Sequence, residues 1–250
     1  MLTTTHAEHL RGLLRTHADP SVAVKTQRYF PDDVYALGVP NATVRELVAG
    51  HFRQAPASVT GRVDIAEDLL AAPQHHEEVL MAFAILHPVA RTKLGEEFMP
   101  IITSWLERSV TNWAQCDDMC LKLLYPYLLG NLHLIPRTRD WVDSASPWAR
   151  RAANVSVVKF VHRRVGTRLI ELPLNHVFGN CITLLPDPHY YVQKGTGWLL
   201  KVTGQVHPRA VVDFVTTWHD QMNRDTFRYA IESLDPAIKT TLMALGKDQK

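Results

Sequence analysis

The chain contains little cysteine, and this scarcity excludes several classes of protein. Its 250 residues include three cysteines, Cys116, Cys120 and Cys181. These are too few and too scattered for a disulfide framework, which indicates a reducing compartment. Cys116 and Cys120 are one helical turn apart, but no Cys-x-x-Cys pair or suitably spaced histidine completes a zinc site. We therefore expect no bound metal and no other cofactor.

Long apolar runs are also missing. No segment approaches the roughly 18 consecutive apolar residues that a membrane-spanning helix needs, and residues 1–14 lack the basic and apolar regions of a secretory signal. The composition, with 46% hydrophobic and 21% charged residues, is typical of a soluble globular protein. We expect a cytoplasmic protein without membrane contact that folds as a single elongated domain over residues 1–250.

The net charge of +2 conceals an uneven distribution. Residues 1–125 carry 11 Lys and Arg against 15 Asp and Glu, a net charge of −4, whereas residues 126–250 carry 16 against 10, a net charge of +6. Such an asymmetry favours a polyanion-binding face, although a solvated helix surface would have the same composition. The excess is greatest in residues 137–168, whose basic residues are Arg137, Arg139, Arg150, Arg151, Lys159, Arg163, Arg164 and Arg168.

Nearly every segment has apolar residues at helical spacing, and short turns containing Pro or Gly separate the segments. The pattern predicts antiparallel pairs of helices with a period of roughly 35–45 residues, and no convincing strand or hairpin. The sequence therefore predicts an all-α fold, a HEAT-like or armadillo-like helical-repeat superhelix with a concave binding face, with a compact bundle as the alternative. The predicted helices are 2–14, 20–29, 41–52, 59–71, 75–86, 93–107, 112–129, 137–143, 147–164, 167–181, 188–203, 207–219, 223–233 and 235–245.

The stretch 111–118 has the residues of a helix start followed by an aromatic and an acidic side chain. Asn112 is a suitable N-cap, and Gln115, three residues later, can close a capping box. Trp113 and Asp117 are four residues apart and share one face of this helix. An indole and a carboxylate on one face suit a cationic, electron-poor substrate. A core tryptophan beside a surface aspartate is the alternative.

Two later stretches repeat this combination of aromatic and polar residues. In the first, Ser146 and Pro147 predict a helix start, and Trp148 and Arg151 share the face that follows. A helix N-terminus with arginines suits a phosphate, and a core tryptophan with solvent-exposed arginines is the alternative.

The second of these stretches lies at residues 190–201. Gly195 and Gly197 inside a helix cost about 1 kcal/mol each relative to Ala, which indicates either close helix packing or a ligand. Lys194 and Trp198, four residues apart, place a cation and an indole on one face.

In this order and spacing, residues 112–117, 147–153 and 193–198 resemble the AlkD-like DNA alkylation repair glycosylases, which are built from HEAT-like repeats. The resemblance covers most of the chain. It implies a monofunctional glycosylase that removes cationic N3- or N7-alkylated purines, such as 3-methyladenine and 7-methylguanine, from duplex DNA without flipping the base. Weaker matches are Arg28-Tyr29, Leu37-Gly38-Val39, Asn223-Arg224 and Arg228.

The resemblance also implies roles for individual residues. Asp117 is expected to be the catalytic carboxylate, Trp113 and Trp198 to line the lesion site, and Arg151 to hold the DNA backbone. The neighbours Gln115, Cys116 and Asp118 depart from the family pattern, so the choice of Asp117 over Asp118 depends on its spacing from Trp113. Further DNA contacts are expected from Tyr29, Arg150, Lys159, Arg163 and Lys194.

Several functions remain open on these residues. The chain could be a specialised glycosylase for bulky alkyl adducts in toxin self-resistance, a non-catalytic paralogue that binds DNA, or a scaffold that binds protein. The Trp113–Asp117 pair argues against an inactive protein, and the basic stretch 137–168 against a protein scaffold. Lys194 could serve as a Schiff-base lyase, but we favour phosphate binding. We expect a monomer without an obligate protein partner that acts on double-stranded DNA with alkylated purines, at the nucleoid.

Overall fold

The computed structural model describes residues 5–245, and these residues are helical almost throughout. They contain fourteen α-helices and one two-stranded hairpin, which confirms the prediction of an all-α fold. They divide into two compact units, Met1–Leu132 and His133–Lys250, and the prediction of a single elongated domain stays a prediction. Of the helices in residues 5–245, none combines the length and apolar character needed to span a bilayer.

The first unit is organised around its longest helix. Its helices are α1 (His6–Thr16), α2 (Pro20–Gln27), α3 (Asn41–Gln54), α4 (Val59–Ala71), α5 (His76–Lys93), α6 (Met99–Arg108), α7 (Trp113–Asp118) and α8 (Tyr125–Gly130). Helix α5 packs against α3, α4, α7 and α8, and its side chains from Val79 to Leu86 are all buried or half-buried. The hydrophobic core of this unit therefore surrounds α5.

Helix α5 is longer than the sequence predicts. We expected a helix of residues 75–86 that ends before Pro88, but α5 continues through Pro88 to Lys93. Proline disfavours a helix interior because it lacks an N–H group and crowds the preceding turn. Tertiary packing opposes this effect. The end of α8 approaches α5 so closely that a Cβ atom on Gly130 would lie 2.0 Å from the carbonyl oxygen of Arg91.

The predicted helix 112–129 is continuous but not uniformly α-helical. The segment Met119–Leu124 between α7 and α8 is a π-helix, which is wider than an α-helix. Pro126 follows in the first turn of α8. In an α-helix its ring would clash with the carbonyl group four residues earlier, and the wider turn provides the space.

The second unit is organised around α11. After the 3₁₀ segment Leu132–Asp143, its elements are α9 (Pro147–Val155), β1 (His162–Val165), β2 (Arg168–Glu171), α10 (Leu174–Leu184), α11 (Tyr190–Val206), α12 (Pro208–Trp218), α13 (Arg224–Ala230) and α14 (Pro236–Ala244). Helix α11 packs against α9, α10, α12 and α13. The elements that carry most of the basic stretch therefore lie at one end of this unit's sequence, around α9 and the hairpin.

The hairpin replaces the end of one predicted helix and the start of the next. Helices were expected over 147–164 and 167–181, but α9 ends at Val155 and β1 pairs antiparallel with β2, with Val165 opposite Arg168. Gly166, the first of the two turn residues, has φ of 59°, the left-handed conformation that two-residue hairpin turns require. The expectation that the chain contains no hairpin was wrong.

The two glycines of α11 allow close helix packing. A Cβ atom on Gly197 would lie 3.1 Å from the Tyr229 Cβ atom and 3.2 Å from the Thr226 carbonyl oxygen, both on α13. A Cβ atom on Gly195 would lie 3.4 Å from Cγ of Arg151 on α9. Of the two reasons that the sequence left open for these glycines, the structure favours packing.

Candidate functional site

Side-chain hydrogen bonds fix the start of α7. The backbone N–H of Gln115 donates to Oδ1 of Asn112 at 3.0 Å, so Asn112 is the N-cap as predicted. Oε1 of Gln115 accepts from the backbone N–H of Thr111 at 2.9 Å. The expected capping box would instead use the N–H of Asn112, so the reciprocal bond lies one residue earlier. Trp113 is therefore the first helical residue, and Asp117 follows one turn later on the same face.

Trp113 is half-buried, and its indole contacts the segment at Tyr29 and Phe30. Its ring stacks on Phe30, with centroids 5.5 Å apart and an interplanar angle of 29°. Its Nε1–H donates to the carbonyl oxygen of Tyr29 at 3.3 Å. The Tyr29 side chain itself is 72% exposed. The structure thus brings together Tyr29 and Trp113, two of the predicted site residues, and places Trp113 at the surface of the first unit rather than in its core.

The loop that carries Phe30 is closed by Gln27. The carboxamide of Gln27 donates to the carbonyl oxygen of Asp32 and accepts from the backbone N–H of Val34, both at 2.8 Å. One residue further on, the carbonyl oxygen of Tyr35 accepts from the backbone N–H of His76 at 2.8 Å. The loop that carries Phe30, on which Trp113 stacks, is therefore hydrogen-bonded to α2 at one end and to α5 at the other.

Glu77 anchors the connector between α2 and α3. Its side chain is 2% exposed, and its carboxylate accepts from the backbone N–H groups of Leu37 at 2.9 Å, Gly38 at 2.8 Å and Val39 at 3.1 Å. Gly38 has φ of 80°, and a Cβ atom there would lie 2.1 Å from the carbonyl oxygen of Asp19. Three bonds to one ionised group are the strong, charge-assisted type, so this carboxylate fixes the path of the connector.

His76 links the Phe30 loop to α7. Its ring lies edge-on to Phe30, with centroids 5.8 Å apart. Its Nδ1 atom is 3.3 Å from Nδ2 of Asn112 and 3.4 Å from Nε2 of Gln115. Burial lowers the pKa of His76, and the charge of Glu77 opposes that shift. Neither His76 nor Glu77 is among the site residues predicted from sequence. The sequence shows only that two ionisable residues stand at the start of an apolar helix.

The two neighbouring aspartates of α7 are both half-buried, but Asp118 has a distinct environment. It lines a small recess of the first unit with Arg45, Lys122 and residues of α3 and α5. Burial raises the pKa of Asp118 to about 6, and the positive charges of Arg45 and Lys122 oppose that shift. The choice of Asp117 over Asp118 as the catalytic group stays a prediction.

The predicted phosphate ligands Arg150 and Arg151 are not solvent-exposed. Arg151 is 5% exposed, and its guanidinium donates to the carbonyl oxygen of Tyr191. Arg150 is half-buried, and its Nε–H donates to Asp187 at 2.5 Å. Its Nη1 group donates to the carbonyl oxygens of Ser144 and Ala145, each at 2.9 Å. Both arginines therefore connect α9 to other parts of the second unit, and their contacts with DNA stay predictions.

Trp148 lies at the start of α9 within a cluster of aromatic rings. Ser146 is the N-cap of this helix, as predicted, and accepts from the backbone N–H of Trp148. The indole of Trp148 is 5.2 Å from the ring of His189 and 5.9 Å from that of Tyr191, between centroids. The cluster orders the segment that leads into α11.

Lys194 and Trp198 are half-buried on α11, one helical turn apart. The Nζ atom of Lys194 lies between two aromatic rings, 5.4 Å from the centroid of Tyr190 and 5.6 Å from that of Tyr229. Cation–π contacts of this kind limit the positions that the ammonium group adopts. The structure therefore presents a cation and an indole on one face of this helix.

Lys159 and Arg163 do not extend α9 as predicted. Lys159 is half-buried in the 3₁₀ turn Val158–Phe160, and Arg163 is exposed on β1. The hairpin carries two further exposed arginines, Arg164 and Arg168. Hereafter "the hairpin arginines" means Arg163, Arg164 and Arg168. The helix prediction for this segment was wrong, but its basic residues do lie at the surface.

The predicted site residues fall in both units. Tyr29, Trp113 and Asp117 belong to the first, and the others to the second, so their assembly into one site stays a prediction. Within residues 5–245, no group of three or more His, Cys, Asp or Glu side chains is arranged to hold a metal ion.

Two solved structures are similar to this chain. One is titled as a predicted DNA alkylation repair enzyme from Enterococcus faecalis; the TM-score is 0.74 at 13% identity, over 88% of this chain and 98% of that one. The other is smu.31 from Streptococcus mutans UA159; the TM-score is 0.59 at 13% identity, over 89% of this chain and 100% of that one. Similarity at this identity shows a common helical-repeat fold. No curated protein sequence matches this chain.

The sequence itself matches a family model. The family is described as DNA alkylation repair enzyme, and the match covers residues 10–234. This range contains every predicted site residue, from Tyr29 to Trp198. The match extends over most of the chain, and the solved structures have the same fold. The chain therefore belongs to the DNA alkylation repair enzyme family.

Proposed function

We propose that this protein is a monofunctional DNA glycosylase, which hydrolyses the N-glycosidic bond of cationic N3- or N7-alkylated purines in duplex DNA without flipping the base. Membership of the family gives a role in the repair of DNA alkylation. The observation that carries the proposed chemistry is the start of α7, where Trp113 is held at the surface and Asp117 lies one turn further along the same helix.

The chemistry needs one carboxylate. A purine alkylated at N3 or N7 already carries a positive charge, so it leaves without strong acid catalysis. The C1′–N bond breaks with its electron pair going to the base, and the sugar acquires oxocarbenium character. The Asp117 carboxylate stabilises that charge and orients a water molecule, whose oxygen bonds to C1′ while its proton passes to the carboxylate and then to solvent.

The aromatic residues bind the cation before it leaves. An indole face attracts positive charge, and this attraction increases where water is excluded. Phe30 stacks on Trp113 and helps to fix the orientation of the indole that would meet the lesion. Trp198 on α11 offers a second half-buried indole.

Basic side chains hold the DNA backbone. Lys194 keeps its ammonium group between two tyrosine rings. Arg151 is 5% exposed and donates to the Tyr191 carbonyl oxygen, so we infer that it holds the start of α11 in place for the DNA rather than covering a phosphate itself. The hairpin arginines are exposed and long enough to reach phosphates at some distance from the lesion. We expect the phosphate contacts to supply most of the affinity, independently of sequence.

Base release from duplex DNA that contains 7-methylguanine or 3-methyladenine tests the proposal. The wild-type protein should release these bases and no neutral lesion base. Asp117→Asn should lower the rate about 10²- to 10³-fold, the usual loss for a preorganised electrostatic group, and should leave DNA binding intact because the amide is nearly isosteric.

Asp118→Asn is the matched control and should retain the wild-type rate. If it abolishes release while Asp117→Asn does not, the neighbouring carboxylate is catalytic. If neither change matters and the protein still binds DNA, it is a non-catalytic DNA-binding protein. Parallel assays with a bulky N7-alkylguanine adduct show whether methyl or bulky lesions are preferred.

A further inference from the structure

The protonation state of His76 follows from the two carboxamides beside it. Oδ1 of Asn112 accepts from the backbone N–H of Gln115, and Oε1 of Gln115 accepts from the backbone N–H of Thr111. Because a backbone N–H can only donate, these bonds fix which atom of each carboxamide is oxygen. Both NH₂ groups are therefore directed at the same imidazole nitrogen, Nδ1 of His76, at 3.3 and 3.4 Å.

A nitrogen that faces two donors has to be an acceptor. The imidazole of His76 is then neutral, with its proton on Nε2. A proton on Nδ1 would replace two attractive contacts with two donor–donor repulsions in a buried setting, where an unpaired polar group is costly. The ring also lies edge-on to Phe30, the ring on which Trp113 stacks.

We propose that His76 is a positioning residue for the lesion-binding face. Its neutral ring holds the start of α7 against the loop that carries Phe30, and its protonation frees Trp113 from its position on the Phe30 ring. The effect on base excision rests on the proposed glycosylase function. The effect on the position of Trp113 does not.

The groups that face His76 determine the direction of the pH dependence. On α5, the carboxylate of Glu77 favours the protonated ring, while the neighbouring His75 is paired with Glu78. Helix α7 and the preceding residues contribute the two neutral carboxamides, and Asp117 lies further along that helix.

The segment 29–35 contributes the Phe30 ring and the two phenols of Tyr29 and Tyr35, which are 72% and 77% exposed. Burial outweighs the charge of Glu77 and lowers the pKa of His76 from the ordinary 6.5. The imidazole of His76 is therefore neutral at neutral pH, and it becomes protonated only below the ordinary pKa of a histidine.

Nuclear magnetic resonance on the full ¹⁵N-labelled chain tests the arrangement directly. Two-bond ¹H–¹⁵N correlations at pH 7.5 should show His76 with its proton on Nε2. The indole N–H resonance of Trp113, assigned with Trp113→Phe, should shift on acidification with the same midpoint as His76. A proton on Nδ1, or a Trp113 indole resonance that does not shift as His76 titrates, would overturn the inference.

Two substitutions at His76 separate positioning from general stability. His76→Asn keeps an acceptor near the place of Nδ1 but cannot be protonated, and His76→Leu removes the acceptor. We expect base release by His76→Asn to stay within about threefold of wild type at pH 7.5, and His76→Leu to lose about tenfold, the usual effect of removing one hydrogen-bonding partner. Thermal unfolding of each variant checks that it is folded at the assay temperature.

The pH profile gives the decisive readout. The wild-type rate should fall on the acid side with the midpoint of His76, and His76→Asn should lack that fall. Two results would contradict the positioning role. One is a rate of base release by His76→Asn that still falls at acidic pH as in wild type, and the other is a loss of rate in His76→Asn at pH 7.5 equal to that of His76→Leu. If the wild-type protein releases no base at any pH, the proposed glycosylase function fails, and the resonance experiment alone decides whether His76 controls the position of Trp113.

Discussion

Asp118 on α7 and Arg45 on α3 line the same small recess of the first unit, and the charge of Arg45 favours the ionised form of Asp118. Burial raises the pKa of Asp118 from 3.8 to about 6 even with this arginine nearby. Between these two pH values the folded protein binds a proton that the unfolded chain does not bind. The free energy of unfolding therefore decreases as the pH rises from about 4 to 6, and the loss persists at neutral pH.

Asp118→Asn should stabilise the protein at neutral pH, because it removes a buried charge and keeps the shape of the side chain. A pKa difference of about two units corresponds to an upper value of about 3 kcal/mol. Urea unfolding at pH 7 and pH 4 measures the effect, which should be present at pH 7 and small at pH 4. The exposed Asp64 on α4 provides the control substitution, Asp64→Asn. A less stable Asp118→Asn protein at pH 7 would contradict the proposed environment.

Glu77→Gln should destabilise the first unit and alter the titration of His76. The amide keeps the size of the side chain but replaces the charge-assisted bonds to residues 37–39, so we expect a decrease of about 3 kcal/mol in the free energy of unfolding. The midpoint of the His76 titration should fall, since the charge of Glu77 raises it. Denaturant unfolding measures the change in stability, and a pH titration of the His76 imidazole by nuclear magnetic resonance measures the change in midpoint. Glu46→Gln, at an exposed position of α3, should change neither.

Trp113→Ala should lower base release about tenfold or more, since it removes both the indole face and the stack on Phe30. Trp113→Phe should fall between this variant and wild type, because a phenyl ring can stack on Phe30 but cannot donate to the Tyr29 carbonyl oxygen. Single-turnover rates on 7-methylguanine DNA measure the series. Trp218→Phe, at a half-buried position of α12, is the control. Equal rates for the alanine and phenylalanine variants would argue against a stacking role.

Neutralising the hairpin arginines should weaken DNA binding and reduce its salt dependence. Replacing all three by Gln should lower the log–log slope of affinity against salt by about 0.9 for each phosphate that the protein no longer neutralises. Titrations of one duplex at several salt concentrations, with and without a lesion, measure the slope. The control is an equal change of charge at three exposed arginines of the first unit, Arg15→Gln, Arg53→Gln and Arg91→Gln.

Equal slopes for the two triple variants would show that the hairpin contributes only net charge. A slope that changes for the hairpin variant alone would identify the hairpin as a specific DNA contact. The expected decrease in affinity is the same for damaged and undamaged duplexes, since phosphate contacts are independent of the base.

The helix starts were predictable from sequence because capping is local. Asn112 and Ser146 each cap a helix at the expected position. The shared face of Trp113 and Asp117 likewise required only the helical repeat. The continuation of α5 through Pro88 was not predictable, since it runs against the local preference of proline in a helix that packs against α3, α4, α7 and α8.

The sequence analysis did not predict the hairpin or the residues that position Trp113, and the physical reasons differ. The strands of the hairpin are four residues long and mostly polar, so they lack the alternating pattern that marks a half-buried strand. His76 and Glu77 have ordinary local surroundings, and their importance comes from partners 36 to 40 residues away. A sequence pattern records what a residue can do with its neighbours in the chain, whereas these contacts are created by the fold.

The π-helical segment Met119–Leu124 determines where the chain tolerates a change of length. Each residue of an α-helix turns the following face by about 100°, so an insertion or deletion within α7 or α8 would rotate one helix against the core. A π turn already accommodates one additional residue. A single deletion inside this segment, made together with Pro126→Ala to remove the ring that needs the wider turn, would restore α-helical geometry and leave Asp117 and Leu128 facing their present directions. Among relatives of this protein, one-residue gaps in the region of α7 and α8 should therefore concentrate between residues 119 and 124.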